Sequence, residues 1–166
     1  MALPATLSST GVPCAALLVH LARRMRLRVE EALAPLGLRP RHLVALTVLR
    51  DHPGSTQQSL SGVLQIDRTN LVGLLNELES AGLIERRRSS EDRRRHTVHL
   101  TDVGSARLAE AETAVAVAED EILVSLDDSQ RESLHLLLHE ASEGHLADCR
   151  AAALREEADC SGGHGG

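Results

Sequence analysis

The chain has 166 residues, enough for one domain with short extensions, and its 42% hydrophobic content excludes a wholly disordered protein. It lacks Phe, Tyr and Trp, so we expect a core of aliphatic side chains, which favours packed helices over a sandwich or barrel. The net charge is −6, yet residues 1–100 carry 14 Arg against 9 acidic residues, while residues 101–166 carry 4 Arg against 15. This asymmetry predicts that one end of an acidic protein faces a polyanion.

The sequence carries no evident membrane or export signal. No apolar run approaches the roughly 20 residues of a membrane span, and the opening "MALPATLSST" lacks the basic and long apolar regions of a signal peptide. The three cysteines, Cys14, Cys149 and Cys160, are odd in number and widely spaced, which favours reduced thiols. We therefore expect a cytoplasmic protein.

Hydrophobic periodicity predicts a fold that is mainly α with a small β-hairpin. Pro40 suits the first turn of a helix, Asp67 and Thr101 are suitable N-caps, and Gly82 is typical of a helix end. The expected elements are helices at 13–36, 40–51, 56–64, 68–81, 102–125 and 129–150, strands at 83–88 and 95–100, and flexible tails at 1–12 and 151–166.

The predicted hairpin lies in "GLIERRRSSEDRRRHTVHLTDVG", residues 82–104, and holds six arginines between Arg86 and Arg95. A charge run alone is typical of a solvated loop. Here it directly follows a short helix, a turn and a second helix with an exposed polar face. That order indicates a winged helix-turn-helix, in which one helix enters the major groove of duplex DNA. Arginines on the narrow hairpin can then reach phosphates or the adjacent minor groove.

The same segment resembles the MarR family of bacterial transcription regulators. Asp92 and Arg94 match the Asp-x-Arg pattern of the family's wing, and residues 100–104 match the Leu-Thr-x-x-Gly that closes it. "IDRTNLVGLLNELESAGLI" resembles the family's recognition helix, and "LGLRPRHLVALTVL" resembles the entry to its second helix. The order of elements is similar across about residues 13–150.

The resemblance implies a homodimer on a near-palindromic DNA site, with Arg94 in the minor groove and Asp92 holding the wing. Arg93 and Arg95 are expected on or near the DNA backbone. The expected DNA contacts are Arg68, Thr69, Asn70, Val72, Arg86, Arg88, Arg93, Arg94 and Arg95. The chain departs from the family's common pattern at Gly73, where many members carry Arg, and at Glu77, which is often basic. A carboxylate at Glu77 would repel any phosphate that it faced.

These expectations assign a DNA-binding lobe to residues 37–101 and a helical dimerisation region to residues 13–36 and 102–150. The predicted function is sequence-specific regulation of transcription, as a repressor released by a small effector, without a cofactor. An enzyme is an alternative of another class, but the sequence shows no Gly-rich phosphate loop and no nucleophile elbow. A winged-helix protein used only for protein contacts is a further alternative.

The mode of control has three candidates. The resemblance implies an effector pocket, for which the candidate residues are His20, Arg24, Arg41 and His42. Redox sensing would use Cys14, because the positive end of a helix favours the thiolate. However, the family's peroxide-sensing branch surrounds its cysteine with tyrosines, which this chain lacks. Zinc sensing would use pairs such as His135 and His139, whose spacing can bind zinc but also arises by chance among nine histidines.

Overall fold

The structure is a computed structural model that describes residues 11–88 and 96–142. It confirms a mainly α fold with a small antiparallel sheet. The elements in chain order are α1 (Cys14–Leu33), α2 (Pro40–Asp51), β1 (Ser55–Thr56), α3 (Gln57–Leu64), α4 (Arg68–Ser80), β2 (Ile84–Arg88), β3 (His96–Leu100), α5 (Asp102–Ile122) and α6 (Asp128–Ser142).

Local capping chemistry places three helix starts where the sequence predicts them. Pro40 is the first residue of α2, where its missing N–H costs no helical hydrogen bond. Asp67 and Thr101 each accept hydrogen bonds from backbone N–H groups in the first turns of α4 and α5. These boundaries depend on neighbouring residues alone, which is why the sequence reveals them.

The first helix ends earlier than predicted. α1 stops at Leu33 rather than at 36, because Pro35 has no N–H to continue the helical hydrogen bonds. Residues Ala34–Leu36 form a 3-10 turn instead, and Gly37 closes that turn in the left-handed conformation at φ +67°.

The last two helices also differ from the prediction at their ends. α5 ends at Ile122 rather than at 125, because the chain turns there, with the N–H of Leu126 donating to the carbonyl of Leu123. α6 starts at Asp128 and is described as far as Ser142. The rest of the helix predicted to 150 lies outside the described residues.

The sheet has three antiparallel strands in the order β1-β3-β2. β2 and β3 form the predicted hairpin, with Ile84 opposite Leu100 and Arg88 opposite His96. The sequence does not predict β1, because its two residues become a strand only through distant pairing of Ser55 with Val98. This third strand joins the start of α3 to the middle of β3.

The core lies where α2, α3 and α4 pack on one another and on the sheet. All four leucines of the stripe predicted for α4 are buried, so the opposite face of that helix points outward. The largest fully buried side chains are Leu33, Leu46, Leu49, Leu60, Leu64, Leu71, Leu75, Leu78, Ile84, Leu108, Val48 and Val98.

Polar contacts join the long helix α5 to the preceding helices. The guanidinium of Arg107 donates to the carbonyl of Leu36 at 2.7 Å, and Arg50 of α2 pairs with Glu112 at 2.5 Å. Arg28 of α1 pairs with Glu121 near the far end of α5.

The outer parts of α1 and α6 leave apolar side chains uncovered. None of the residues in α6 is buried, and Leu33 is the one buried residue of α1. The exposed large side chains of these two helices are Leu17, Leu18, Val19, Leu27, Leu136, Leu137 and Leu138. Within the described ranges, no helix combines the length and apolar character that crossing a membrane requires.

Candidate nucleic-acid interface

α3 and α4 form a helix-turn-helix. The turn places Gln65 in the left-handed region at φ +52°, and the hydroxyl of Ser61 donates to the carbonyl of Ile66 at 2.7 Å. Leu60 and Leu64 anchor α3 in the core. The turn therefore holds α4 with its leucine stripe inward and its polar face toward solvent.

The amino end of α4 is organised by Asp67. One carboxylate oxygen accepts the backbone N–H groups of Thr69 and Asn70 at 2.9 and 3.0 Å, and the other accepts the side-chain amide of Asn70 at 2.5 Å. These bonds, that from the Asn70 N–H foremost, hold the pKa of Asp67 below its ordinary value. Arg68, Thr69 and Asn70 are exposed, so three predicted contact residues share the presented first turn.

The middle of the outer face of α4 is bare backbone. Gly73 is exposed, and a Cβ added there would meet no atom within 4 Å. Val72 beside it is half-buried. The absence of a side chain at Gly73 therefore leaves space through which another surface can approach the helix.

Glu77, the second departure from the family pattern, is engaged by α2. Both of its carboxylate oxygens accept hydrogen bonds from Nη2 of Arg41, at 2.9 and 2.7 Å, and one lies 2.9 Å from Nε2 of His42. His42 is only 7% exposed, and its Nδ1 accepts the backbone N–H of Arg39 at 3.2 Å. The ring proton therefore lies on Nε2 and is donated to Glu77.

The contacts among Arg41, His42 and Glu77 determine the protonation states of His42 and Glu77. Burial lowers the pKa of His42, and the hydrogen bond to Glu77 only partly offsets that effect, so the ring is neutral at neutral pH. Burial raises the pKa of Glu77, but the His42 hydrogen bond and the Arg41 charge outweigh it and hold the pKa below its ordinary value. Arg41 thus compensates an ionised Glu77, which reduces the repulsion of phosphate expected from the sequence.

The arginines of β2 have different partners. Arg86 donates to Glu79 at 2.8 Å and to Asn76 at 2.7 Å, both on α4. Arg87 pairs with Glu85 of its own strand. By contrast, Arg88 is exposed and meets no carboxylate among the described residues.

The other predicted wing residues come between β2 and β3 in the chain. Asp92, Arg93, Arg94 and Arg95, which the sequence assigns to the wing, lie outside the described residues. The structure describes the two strands of the hairpin, up to the pair formed by Arg88 and His96.

The four effector-pocket candidates do not form one cluster in the part of the chain that the structure describes. Arg41 and His42 meet at Glu77, whereas His20 and Arg24 are exposed on α1, and their side chains make no hydrogen bond to a described residue. A cavity of about 280 Å³ lies elsewhere, between α1, α5 and α6, and is lined in part by Met25, Leu123 and Leu138.

The redox and zinc candidates are simple surface groups. Cys14 is exposed at the first residue of α1. His135 and His139 lie on one face of α6 with ring centroids 6.4 Å apart. Over residues 11–88 and 96–142, no group of three His, Cys, Asp or Glu side chains is arranged to hold a metal ion.

Arg39 is a candidate that sequence reasoning missed. It is exposed directly before α2, meets no carboxylate among the described residues, and lies close enough for its charge to lower the pKa of His42. A signal was present in the "RPR" at 39–41, where an arginine flanks each side of a helix-starting proline.

Comparison with known proteins follows the same elements. The family model described as the MarR family matches residues 38–96, from the start of α2 into the hairpin. A Thauera aromatica protein, named for transcriptional regulation of the hcr operon, is 36% identical over 102 residues. That match spans 61% of this chain and 61% of the relative.

Two solved proteins share the fold over most of the chain. The transcriptional repressor CouR, solved with a 23-mer DNA duplex, is 31% identical with a TM-score of 0.69, and the match covers 84% of this chain and 99% of CouR. Rv2887 of Mycobacterium tuberculosis, solved with DNA, is 27% identical with a TM-score of 0.68, covering 78% and 98%. Rv2887 is also solved with salicylic acid. With the wing and recognition-helix motifs, these similarities show that the chain belongs to the MarR family.

Proposed function

We propose that this protein is a transcription regulator that binds specific sequences in double-stranded DNA through α4 and the hairpin. The observation that carries the proposal is the exposed first turn of α4, which presents Arg68, Thr69 and Asn70 from a helix seated on a leucine core. The first residues of such a helix reach base edges in the major groove. CouR and Rv2887, both solved with DNA, support the proposal by their similarity.

Exposed arginines lie on the same lobe. Arg39, Arg68 and Arg88 are exposed, and no carboxylate of the described residues compensates their charges, which supports a role for them at phosphates. We assign Arg94 to the minor groove, Arg93 and Arg95 to the DNA backbone, and Asp92 to holding the wing. Such a local basic face allows an acidic chain to bind DNA.

We also propose that the protein acts as a homodimer, with residues 13–36 and 102–150 as the dimerisation region. The uncovered leucines of α1 and α6 support this assignment, because soluble monomers rarely expose large contiguous apolar patches. A second copy would cover these side chains and would present a second lobe, residues 37–101, to a near-palindromic site.

Release by a small effector completes the proposal, with repression as its direction. Rv2887 is solved with salicylic acid, which is an anion at neutral pH. In this chain an anionic effector held by Arg41 would compete with Glu77 for the guanidinium, and would thereby loosen the contact between α2 and α4. Salicylate is a suitable first probe, and Arg41→Gln should weaken its effect on DNA binding.

A gel-shift experiment with the region upstream of the protein's own gene tests the DNA-binding function. Arg94→Ala should weaken operator binding about tenfold or more, if the groove contact contributes the roughly 1–3 kcal/mol typical of good contacts. Arg23→Ala, which removes an equal charge from the exposed face of α1, is the matched control and should change little. The absence of any salt-sensitive, sequence-specific shift by the wild type would favour a winged-helix protein used for protein contacts.

A further inference from the structure

The carboxyl-terminal half of α4 is fastened to α2. Glu77 accepts hydrogen bonds from Arg41 and from His42, at distances between 2.7 and 2.9 Å. His42 is itself fixed, because it is buried and its second nitrogen accepts the Arg39 N–H. The side chain of Glu77 therefore lies between two groups of α2, one of which has no freedom to move away.

The same half of α4 is fastened on its other side to the hairpin. Arg86 of β2 is largely covered, with 22% of its side chain exposed, and it reaches Glu79 and Asn76 together. One guanidinium thus binds two side chains of α4 and ties the helix to the strand that leads into the wing.

The amino-terminal half of α4 is not fastened in this way to α2 or to the hairpin within the described residues. Arg68 and Thr69 are exposed, and their side chains meet no hydrogen-bonding partner among the described residues. In the described part of the chain, the side chain of Asn70 is held only by the local cap at Asp67, and Gly73 has no side chain. Within the described residues, the side chains of Arg68 and Thr69 near the start of α4 are therefore unoccupied, while oxygen atoms of Asn76, Glu77 and Glu79 near its end accept hydrogen bonds from α2 and β2.

We propose that Asn76, Glu77 and Glu79 are positioning residues that set the orientation of α4, and that base recognition is confined to its segment 68–73. This inference rests on the DNA-binding function proposed above. A base that approached Glu77, Glu79 or the side-chain oxygen of Asn76 would compete with the hydrogen bonds from Arg41, His42 or Arg86. The side chain of Thr69 has no such bond within the described structure. Arg86, expected from the sequence to contact DNA, joins this group as the positioning residue of the hairpin.

The experiment selects duplexes from a library with a randomised central segment, using wild-type protein, Glu77→Ala and Glu77→Gln. Affinities are measured well below the unfolding temperature of each variant, so that a loss of folded protein does not contribute. Glu77→Ala should select the same sequence as the wild type while binding every duplex more weakly by a similar factor, roughly tenfold. Glu77→Gln, whose amide oxygen still accepts from Arg41 and His42, should recover most of that loss.

Thr69→Ala is the matched control for a base-reading residue. It should relax the preference at a particular base pair while leaving the others intact. A relaxed preference at one base pair in Glu77→Ala would show instead that Glu77 reads a base, and would overturn the inference. An unchanged affinity in that variant would overturn it equally, because nothing would then depend on the contact with α2.

Two further results separate failure of this inference from failure of the proposed function. If Glu77→Ala does not fold, Asn76→Ala tests the hairpin side, with a uniform loss of affinity expected and a base-specific change contradictory. If the wild type selects no sequence at all, DNA recognition itself fails and the inference falls with it.

Discussion

Gly104 at the start of α5 packs against Leu83 so closely that an added Cβ would lie 1.9 Å from the Leu83 carbonyl oxygen. Thr101 joins the same elements, because its N–H donates to Leu83 at 3.1 Å and its hydroxyl donates to the Gly82 carbonyl at 2.7 Å. The first turn of α5 therefore sits directly on the backbone that leads into β2, and the base of the hairpin depends on this fit.

Gly104→Ala should lower the free energy of unfolding by about 1–3 kcal/mol, because the new methyl group must push two backbones apart. Urea denaturation measures the change. Gly62→Ala is the control, since Gly62 lies in α3 with no atom near the added Cβ, and helix propensity there favours Ala by up to about 1 kcal/mol. Similar effects of the two substitutions would contradict the close contact at Leu83.

Arg88→Ala should weaken DNA binding to a similar extent on every sequence. A single lost phosphate contact should reduce the slope of log affinity against log salt concentration by about 1. The measurement is a salt titration of binding by fluorescence anisotropy. Arg23→Ala on α1 removes the same charge and should leave the slope unaltered, and an unaltered slope for Arg88→Ala would remove that residue from the interface.

Leu137→Glu should convert the proposed dimer to a monomer, because the substitution puts a charge into the apolar surface that a second copy would cover. Sedimentation velocity measures the mass, and DNA affinity should fall by at least about tenfold, since half of the linked contacts are lost. Gln58→Glu puts the same charge on the exposed surface of α3, outside the proposed dimerisation region, and should remain dimeric. A dimeric Leu137→Glu would locate the interface elsewhere.

Acid should destabilise the protein through His42. Burial lowers the pKa of this ring in the folded state, so the unfolded chain takes up a proton at a higher pH than the folded chain does. The stability that His42 contributes is therefore complete above about pH 6.5, the ordinary value, and falls as the pH drops below it.

Melting temperatures measured between about pH 7.5 and pH 5.5 test this, across the range in which histidine titrates. His42→Asn keeps a side-chain acceptor near the Arg39 N–H but cannot titrate, so it should lose less stability in acid than the wild type. Equal losses in the two proteins would assign the acid sensitivity to other groups.

Much of the fold could be predicted because its signals are local. Pro40, Asp67 and Thr101 start their helices where the sequence predicts, since capping involves only the next few residues. β1 could not be predicted, because Ser55 becomes a strand residue only by pairing with Val98, far along the chain. The segment that begins at Pro35 signals the end of α1, but the exact boundary at Leu33 is not visible in the sequence, because the chain continues through a 3-10 turn.

The candidate site divides in the same way. The exposed first turn of α4 follows from the cap and the leucine stripe, both of which are visible in the sequence. The partners of Glu77 and Arg86 are not visible there, because tertiary packing brings α2 and β2 against α4. A charged residue shows its sign in a sequence, but whether that charge is already compensated depends on the fold.

The bond from Arg86 to α4 has a mechanical consequence. Because Arg86 joins β2 to α4, the distance between the strand and the helix is restrained. On DNA, the wing and the helix would then be held at one preferred separation. The separation between a major groove and its neighbouring minor groove varies with sequence-dependent bending and groove width. A duplex whose grooves already have this separation would bind without the energetic cost of deformation. Base pairs that no side chain touches would then contribute to the choice of operator.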